Sequence, residues 1–132
     1  MDYGYVGDVE RVDAGLLADL IGRGVVPVMA PLTHDGSGHL LNTNADTIAG
    51  ETAKALAPHF DVTLVFCFEK AGVIPHIDAA SFARLREEGI VSGGMIPKLE
   101  NAFAALREGV RRVVITRASA IANPGAGTIV EL

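Results

Sequence analysis

Two short strings in this chain carry the residue types from which a phosphate-handling site is built. The first is Asn42-Thr43-Asn44-Ala45-Asp46, set between a β-type apolar run and a helical pattern. Two amides and a carboxylate where a strand or hairpin hands over to a helix can orient a small acidic substrate and organise nearby cations. The second is Gly93-Gly94-Met95-Ile96-Pro97-Lys98, also at a helix start. Gly93 and Gly94 leave backbone N–H groups open to close approach by an anion, and Pro97 gives up a donor that the first turn could not use internally. Each string has a plainer reading. Asp46 in a first turn is favoured by the helix dipole whatever the function, and Asn44 is an ordinary cap. Capping does not require Asn42. Lys98 in an opening turn opposes the dipole by roughly 0.3–1 kcal/mol, a sign that a bound phosphate would reverse; otherwise it is a solvated lysine after a flexible turn.

These strings need elements to hold them. The chain has 132 residues, enough for one domain with a real core and too few for two ordinary ones. It is rich in Val, Leu, Ile and Ala and poor in aromatics, as suits a tightly packed α/β domain. Asp13 can cap a helix over residues 14–23, with Leu16, Leu17, Leu20 and Ile21 as its apolar face and Gly24 as its stop. Residues 25–30 read as a short buried parallel strand. Asp35-Gly36 with Gly38 marks a turn before His39-Leu40-Leu41, hence a β-hairpin with an exposed tip. A helix over 45–57, capped by Asn44 or Thr43, follows, with Ile48, Thr52 and Leu56 on one face and Pro58 at its exit. Residues 62–68 form a second strand and 79–88 a helix lined by Phe82 and Leu85. Residues 96–107 form another, with Leu99, Phe103 and Leu106 inward. Residues 112–116 and 128–131 are further strands. Helices alternating with short apolar strands predict a three-layer αβα sandwich around a mainly parallel sheet. In such sheets ligands sit at the carboxyl ends of the strands, where both strings fall.

The net charge of −5, with no basic block, gives no nucleic-acid surface. No apolar run reaches the length of a membrane span and the first residues lack the features of a signal peptide, so a soluble, cytoplasmic chain is expected. His34, His39, His59 and His76 show no ligand spacing, and no metal site is expected from them. Cys67, the single cysteine, is either buried strand filler or a reactive thiol; no His partner is evident, which favours filler.

Taken together, the Asn-x-Asn-Ala-Asp and Gly-Gly-Met-Ile-Pro-Lys strings resemble those of the acylglutamate kinases, members of the amino acid kinase family. The resemblance runs over nearly the whole chain but matches only one half of such an enzyme. It implies a carbamate kinase-like nucleotide-binding domain, and phosphoryl transfer from ATP, with Mg²⁺, to the side-chain carboxylate of N-acetyl-L-glutamate in arginine biosynthesis. An acceptor that is already a carboxylate needs no general base, in keeping with a site of Asn, Asp and Lys. By the resemblance Asn42 and Asn44 bind substrate, Asp46 orients cations, and Lys98 stabilises charge on the phosphoryl group in flight. Gly93, Gly94, Met95 and Gly127 border the nucleotide, while Glu69 and Lys70 either bracket it or form a solvated pair. Tyr3-Gly4-Tyr5-Val6-Gly7-Asp8-Val9 resembles the segment by which the family enters its nucleotide domain, and Gly125-Ala126-Gly127-Thr128-Ile129 its closing strand.

The sequence departs from that pattern in three places. The family's N-terminal substrate domain, with its Lys-Gly-Gly loop and second catalytic lysine, has no counterpart. Phe68-Glu69 stands where relatives carry Thr-Asp. The connections after Val73 and after Ile115 are short. Three readings follow: half of a kinase acting on N-acetyl- or N-succinyl-L-glutamate, an ATP/ADP-binding module without turnover, or a domain that self-associates into a homo-oligomer through the face its partner domain would cover.

Overall fold

The computed structural model describes residues 4–68, 74–123 and 126–132. The contacts expected of Glu69 and Lys70 lie outside them. Among the described residues, two sheets and four α-helices form in the order α1 (Ala14–Gly22), β1 (Leu32–His34), β2 (Leu40–Asn42), α2 (Ala45–Leu56), β3 (Thr63–Cys67), β4 (His76–Ile77), α3 (Ala79–Glu87), α4 (Met95–Arg107), β5 (Arg112–Thr116) and β6 (Thr128–Val130), with a short 3-10 turn at Ala118–Ala120 between the last two. β1 and β2 are the expected antiparallel hairpin. The main sheet runs β3-β5-β6-β4. Its outer pairs, β3 with β5 and β4 with β6, are parallel, and β5 with β6 is antiparallel. The α/β architecture with mainly parallel pairing is therefore present, with β4 as a short strand that the sequence pattern missed. No described helix is long and apolar enough to cross a membrane.

Strand alternation decides where the core sits. Leu64, Val113 and Val130 form one buried row across the sheet, and Phe66, Ile115 and Thr128 the next. α4 supplies Leu99, Ala102, Phe103 and Ala105 to this core, and Phe82 of α3 lies against Phe103 with ring centroids 5.4 Å apart. Cys67 falls on the other side of the alternation and is exposed, so it is not buried filler. The buried positions of α2 are Gly50 and Ala53, not the bulkier Ile48, Thr52 and Leu56 that mark its face in sequence. Small residues win there because they let α2 approach α4 closely: a Cβ on Gly50 would already touch Asn101 Oδ1 at 3.5 Å.

The strand expected over 25–30 does not form. Val25, Val26, Val28 and Met29 are exposed, Val28 at 93%. The N–H groups of Val26, Val28, Met29 and Ala30 donate to nothing among the described residues. A strand exists only when another strand satisfies its backbone, and this stretch meets none. α1 likewise has no fully buried residue: Leu16 is 57% exposed, while Leu17, Leu20 and Ile21 are half-buried.

The hairpin tip is exposed as expected and held by Asp35, whose carboxylate contacts His39 Nδ1 at 2.6 Å and accepts from the amides of Ser37 and His39. The His39 ring, then those amides, hold the Asp35 carboxyl below its ordinary value. A depressed carboxyl stabilises above its unfolded pKa and loses that contribution as pH falls through the folded one. Amide NMR of Ser37 and His39 should therefore show the tip loosening below roughly pH 4, and Asp35→Asn should remove the transition. A tip whose order does not fall at all as pH is lowered from the ordinary carboxylate range would contradict this.

Candidate active site

Asn42 ends β2 and Asp46 opens α2, so the first string spans the turn between hairpin and helix. Thr43 anchors that turn. It is buried, its N–H donates to the Pro31 carbonyl, and its hydroxyl meets that of Thr33 at 2.8 Å. Nothing in the linear pattern marked Thr43 as a support. The Asn42 backbone is clamped by the entering segment: its N–H donates to Tyr5 O, and Gly7 N–H donates to Asn42 O. Gly7 must be glycine for that approach, since a Cβ there would sit 2.7 Å from Leu41 Cβ. The Asn42 side chain is exposed and makes no hydrogen bond among the described residues. The Asn44 side chain caps α2, accepting from Asp46 N at 2.8 Å and Thr47 N at 3.2 Å. Its carbonyl oxygen is thus occupied by its own helix.

The second string forms a tight turn into α4. Gly93 has φ +57° and Gly94, the N-cap, lies in the right-handed region without a side-chain cap. Successive residues of that left-then-right kind turn their N–H groups into one concavity, a nest for anions. Neither glycine N–H donates to a group among the described residues. Met95 follows as the first helical residue and packs partly into the core. A Cβ on Gly94 would lie 3.6 Å from the Phe68 ring, just beyond β3. Phe68 N–H in turn donates to Thr116 O at the end of β5. The nest therefore borders the carboxyl ends of two parallel strands, where open α/β sheets receive ligands.

The two strings meet through their charged members. Lys98 Nζ donates to Asp46 Oδ1 at 2.6 Å, across 52 residues of sequence. Their side chains are 14% and 22% exposed, so this is a partly buried pair and not a solvated lysine. The pairing follows from geometry: both residues stand in the opening turns of helices that pack closely through Gly50. Asp46 also offsets the dipole penalty that Lys98 meets at the head of α4. The ammonium lies over the Phe66 ring, 5.5 Å from its centroid, a contact the sequence reading did not anticipate.

Gly127 lies away from these groups in its bonding. It has φ +116°, and a Cβ there would be 2.6 Å from the Ile115 carbonyl oxygen. Its immediate reason for being glycine is the close approach of β6 to β5. A surface hollow lined by Glu10, Arg11, Glu51, Lys54 and Glu108 among others does not include Lys98. Of its two cations, Lys54 is already engaged: it bonds Glu51 at 2.5 Å, with Glu108 at 3.7 Å, and Glu51 above all raises the Lys54 pKa.

Residues 1–117 match the model of the amino acid kinase family. The chain is 64% identical over 139 aligned residues to an acetylglutamate kinase of Bacteroides fragilis, covering 98% of this chain and 53% of that protein. Among solved structures, smu.665 of Streptococcus mutans UA159 superposes with a TM-score of 0.81 at 30% identity, over 97% of this chain and 51% of that one. A carbamate kinase of Giardia superposes with a TM-score of 0.70 at 21% identity, over 90% of this chain and 44% of that one, a likeness of fold. The chain spans about half the length of the curated relatives it matches.

Proposed function

The chain belongs to the amino acid kinase family, and from that premise we propose that it is the nucleotide-binding half of an acetylglutamate kinase. The observation that carries this reading is the Lys98–Asp46 pair at 2.6 Å, beside the ends of β3 and β5. In the reaction, the bond between the γ-phosphorus of ATP and the bridging oxygen breaks, and a side-chain carboxylate oxygen of N-acetyl-L-glutamate bonds to that phosphorus. The acceptor is already an anion, so no proton moves. What the protein must supply is alignment and positive charge. Lys98 faces the transferred group, Asp46 aims the ammonium, and the Gly93 and Gly94 amides hold a nucleotide phosphate. Asn42, with its free side-chain amide, takes the amino-acid substrate; Asn44 acts mainly as the cap that fixes Asp46. Mg²⁺ arrives on the nucleotide, bound chiefly by phosphate oxygens and water. The Asp46 oxygen not bonded to Lys98 is the donor nearest in kind to what such an ion accepts.

The rest of the substrate pocket comes from the half of the fold that this chain does not span. The unpaired apolar stretch over 25–30 supports that view and is where a strand of the missing half would pair. MgATP and MgADP titrations of the chain, with Lys98→Ala and Asp46→Ala, test the nucleotide site. Acyl phosphate formation, trapped with hydroxylamine, is then compared with and without the complementary half of a relative. Product from the pair and none from this chain alone is the expected result; turnover by the chain alone would overturn the half-site reading. Val26→Lys with Val28→Lys provides a further check. Both side chains are at least 82% exposed, so chain stability should stay within about 0.5 kcal/mol. Product formation with the added half should fall at least tenfold, because two ammonium groups would have to enter an apolar seam. Unchanged product would place the seam elsewhere.

A further inference from the structure

The Phe66 ring is placed to do more than fill the core. It lies on β3, is 3% exposed, and presents its ring to Lys98 Nζ at 5.5 Å. That is within the range at which the negative face of an aromatic quadrupole attracts a cation. Lys98 has three N–H donors, and among the described residues only Asp46 accepts from them. A second carboxylate or carbonyl in place of the ring would consume another donor, and a carboxylate would cancel the charge. An aliphatic side chain would leave a partly buried ammonium without that attraction. A ring stabilises the cation while accepting no conventional hydrogen bond, so donors remain for an incoming oxyanion.

We propose that Phe66 is a positioning residue for phosphoryl binding: its ring holds the Lys98 ammonium beside Asp46, charged and with donors free for a nucleotide phosphate. This rests on the reading of Lys98 given above. The ring acts through Lys98 and touches no reacting atom.

Graded fluorination separates this role from packing, since fluorine drains the ring quadrupole while nearly preserving its shape. Phe66 is replaced by 4-fluoro-, 3,5-difluoro- and 3,4,5-trifluorophenylalanine, alongside Phe66→Leu, in the wild-type chain and in Lys98→Ala. Two quantities are read: MgATP affinity, and the acylation rate of Lys98 by an amine-reactive ester, followed by peptide mass spectrometry. Affinity should fall stepwise, about threefold at trifluorophenylalanine, and the Lys98 acylation rate should rise by a similar factor, with the melting temperature falling only slightly. In the Lys98→Ala background, fluorination should change neither stability nor MgATP affinity. A flat acylation series overturns the proposal, as does a flat affinity series when Lys98→Ala itself weakens MgATP. If Lys98→Ala leaves MgATP binding intact, the phosphate reading of Lys98 fails. The acylation series still decides whether the ring holds the ammonium.

Discussion

Replacing Lys98 with alanine should weaken MgATP binding by roughly 10- to 100-fold, as befits loss of a charge-assisted contact to phosphate, and MgADP, which lacks the transferred group, by less. Isothermal titration of the purified chain would measure it. Stability should respond asymmetrically to the two halves of the pair. Lys98→Ala leaves Asp46 in the first turn of α2, where the dipole favours a carboxylate and Asn44 completes the cap. Asp46→Ala instead leaves an ammonium 14% exposed at the head of α4, where the dipole opposes it. Asp46→Ala should therefore cost more, about 1–3 kcal/mol, in keeping with a partner removed from a partly buried charge. Urea melts of both variants provide the comparison. Equal costs would mean that solvent screens the dipoles and that the pair is effectively exposed. Nucleotide affinity unchanged in Lys98→Ala would remove the cation from the phosphate site altogether.

Gly127→Ala should be the most damaging conservative change in the described chain. Two penalties add there. The backbone has φ +116°, which an L side chain rarely adopts, and the new Cβ would lie 2.6 Å from the Ile115 carbonyl oxygen and 2.9 Å from Thr116 Cβ. Both neighbours belong to β5, the central strand between β3 and β6, so neither can yield without disturbing the sheet. A cost of about 3 kcal/mol is expected, or a fall in melting temperature of roughly 10 °C. Gly24→Ala is the matched control: it too has positive φ, at +79°, but nothing lies within 4 Å of the added carbon. It should cost only about 1 kcal/mol. If the two substitutions melt alike, backbone strain alone accounts for Gly127 and β6 can shift away from β5. Nucleotide affinity of Gly127→Ala, measured well below its melting point, tells whether this glycine also borders the ligand. Retained affinity would confine it to the sheet.

The candidate site residues stood out in sequence because each carries a local anomaly. Asn42 exceeds what a cap requires, Lys98 opposes a dipole, and two adjacent glycines leave amides open. The elements were legible for a similar reason: caps at Asp13 and Asn44, turn residues at Asp35 and Gly36, and the spacing of Leu99 and Phe103 are short-range signals. Misreadings arose where the outcome depended on what lies opposite. Residues 25–30 have the composition of a buried strand, yet no strand among the described residues satisfies their backbone. Ile48, Thr52 and Leu56 look like the packing face of α2, yet Gly50 and Ala53 are buried because helix separation, not side-chain bulk, governs that contact. Cys67 shares a run with buried residues but points to the other side of the pleat.

Composition and periodicity thus determined most, though not all, of the segments that become helix or strand, and which side chains carry charge or open amides. Both depend on forces that act within a few residues along the backbone. Only tertiary structure decided that Lys98 reaches Asp46 across 52 residues, that Phe66 lies beneath the ammonium, and that Gly127 must lack a Cβ. Those are distances between segments remote in sequence. They are set by the close packing of α2 on α4 and the register of β5 with β6, which no local pattern encodes.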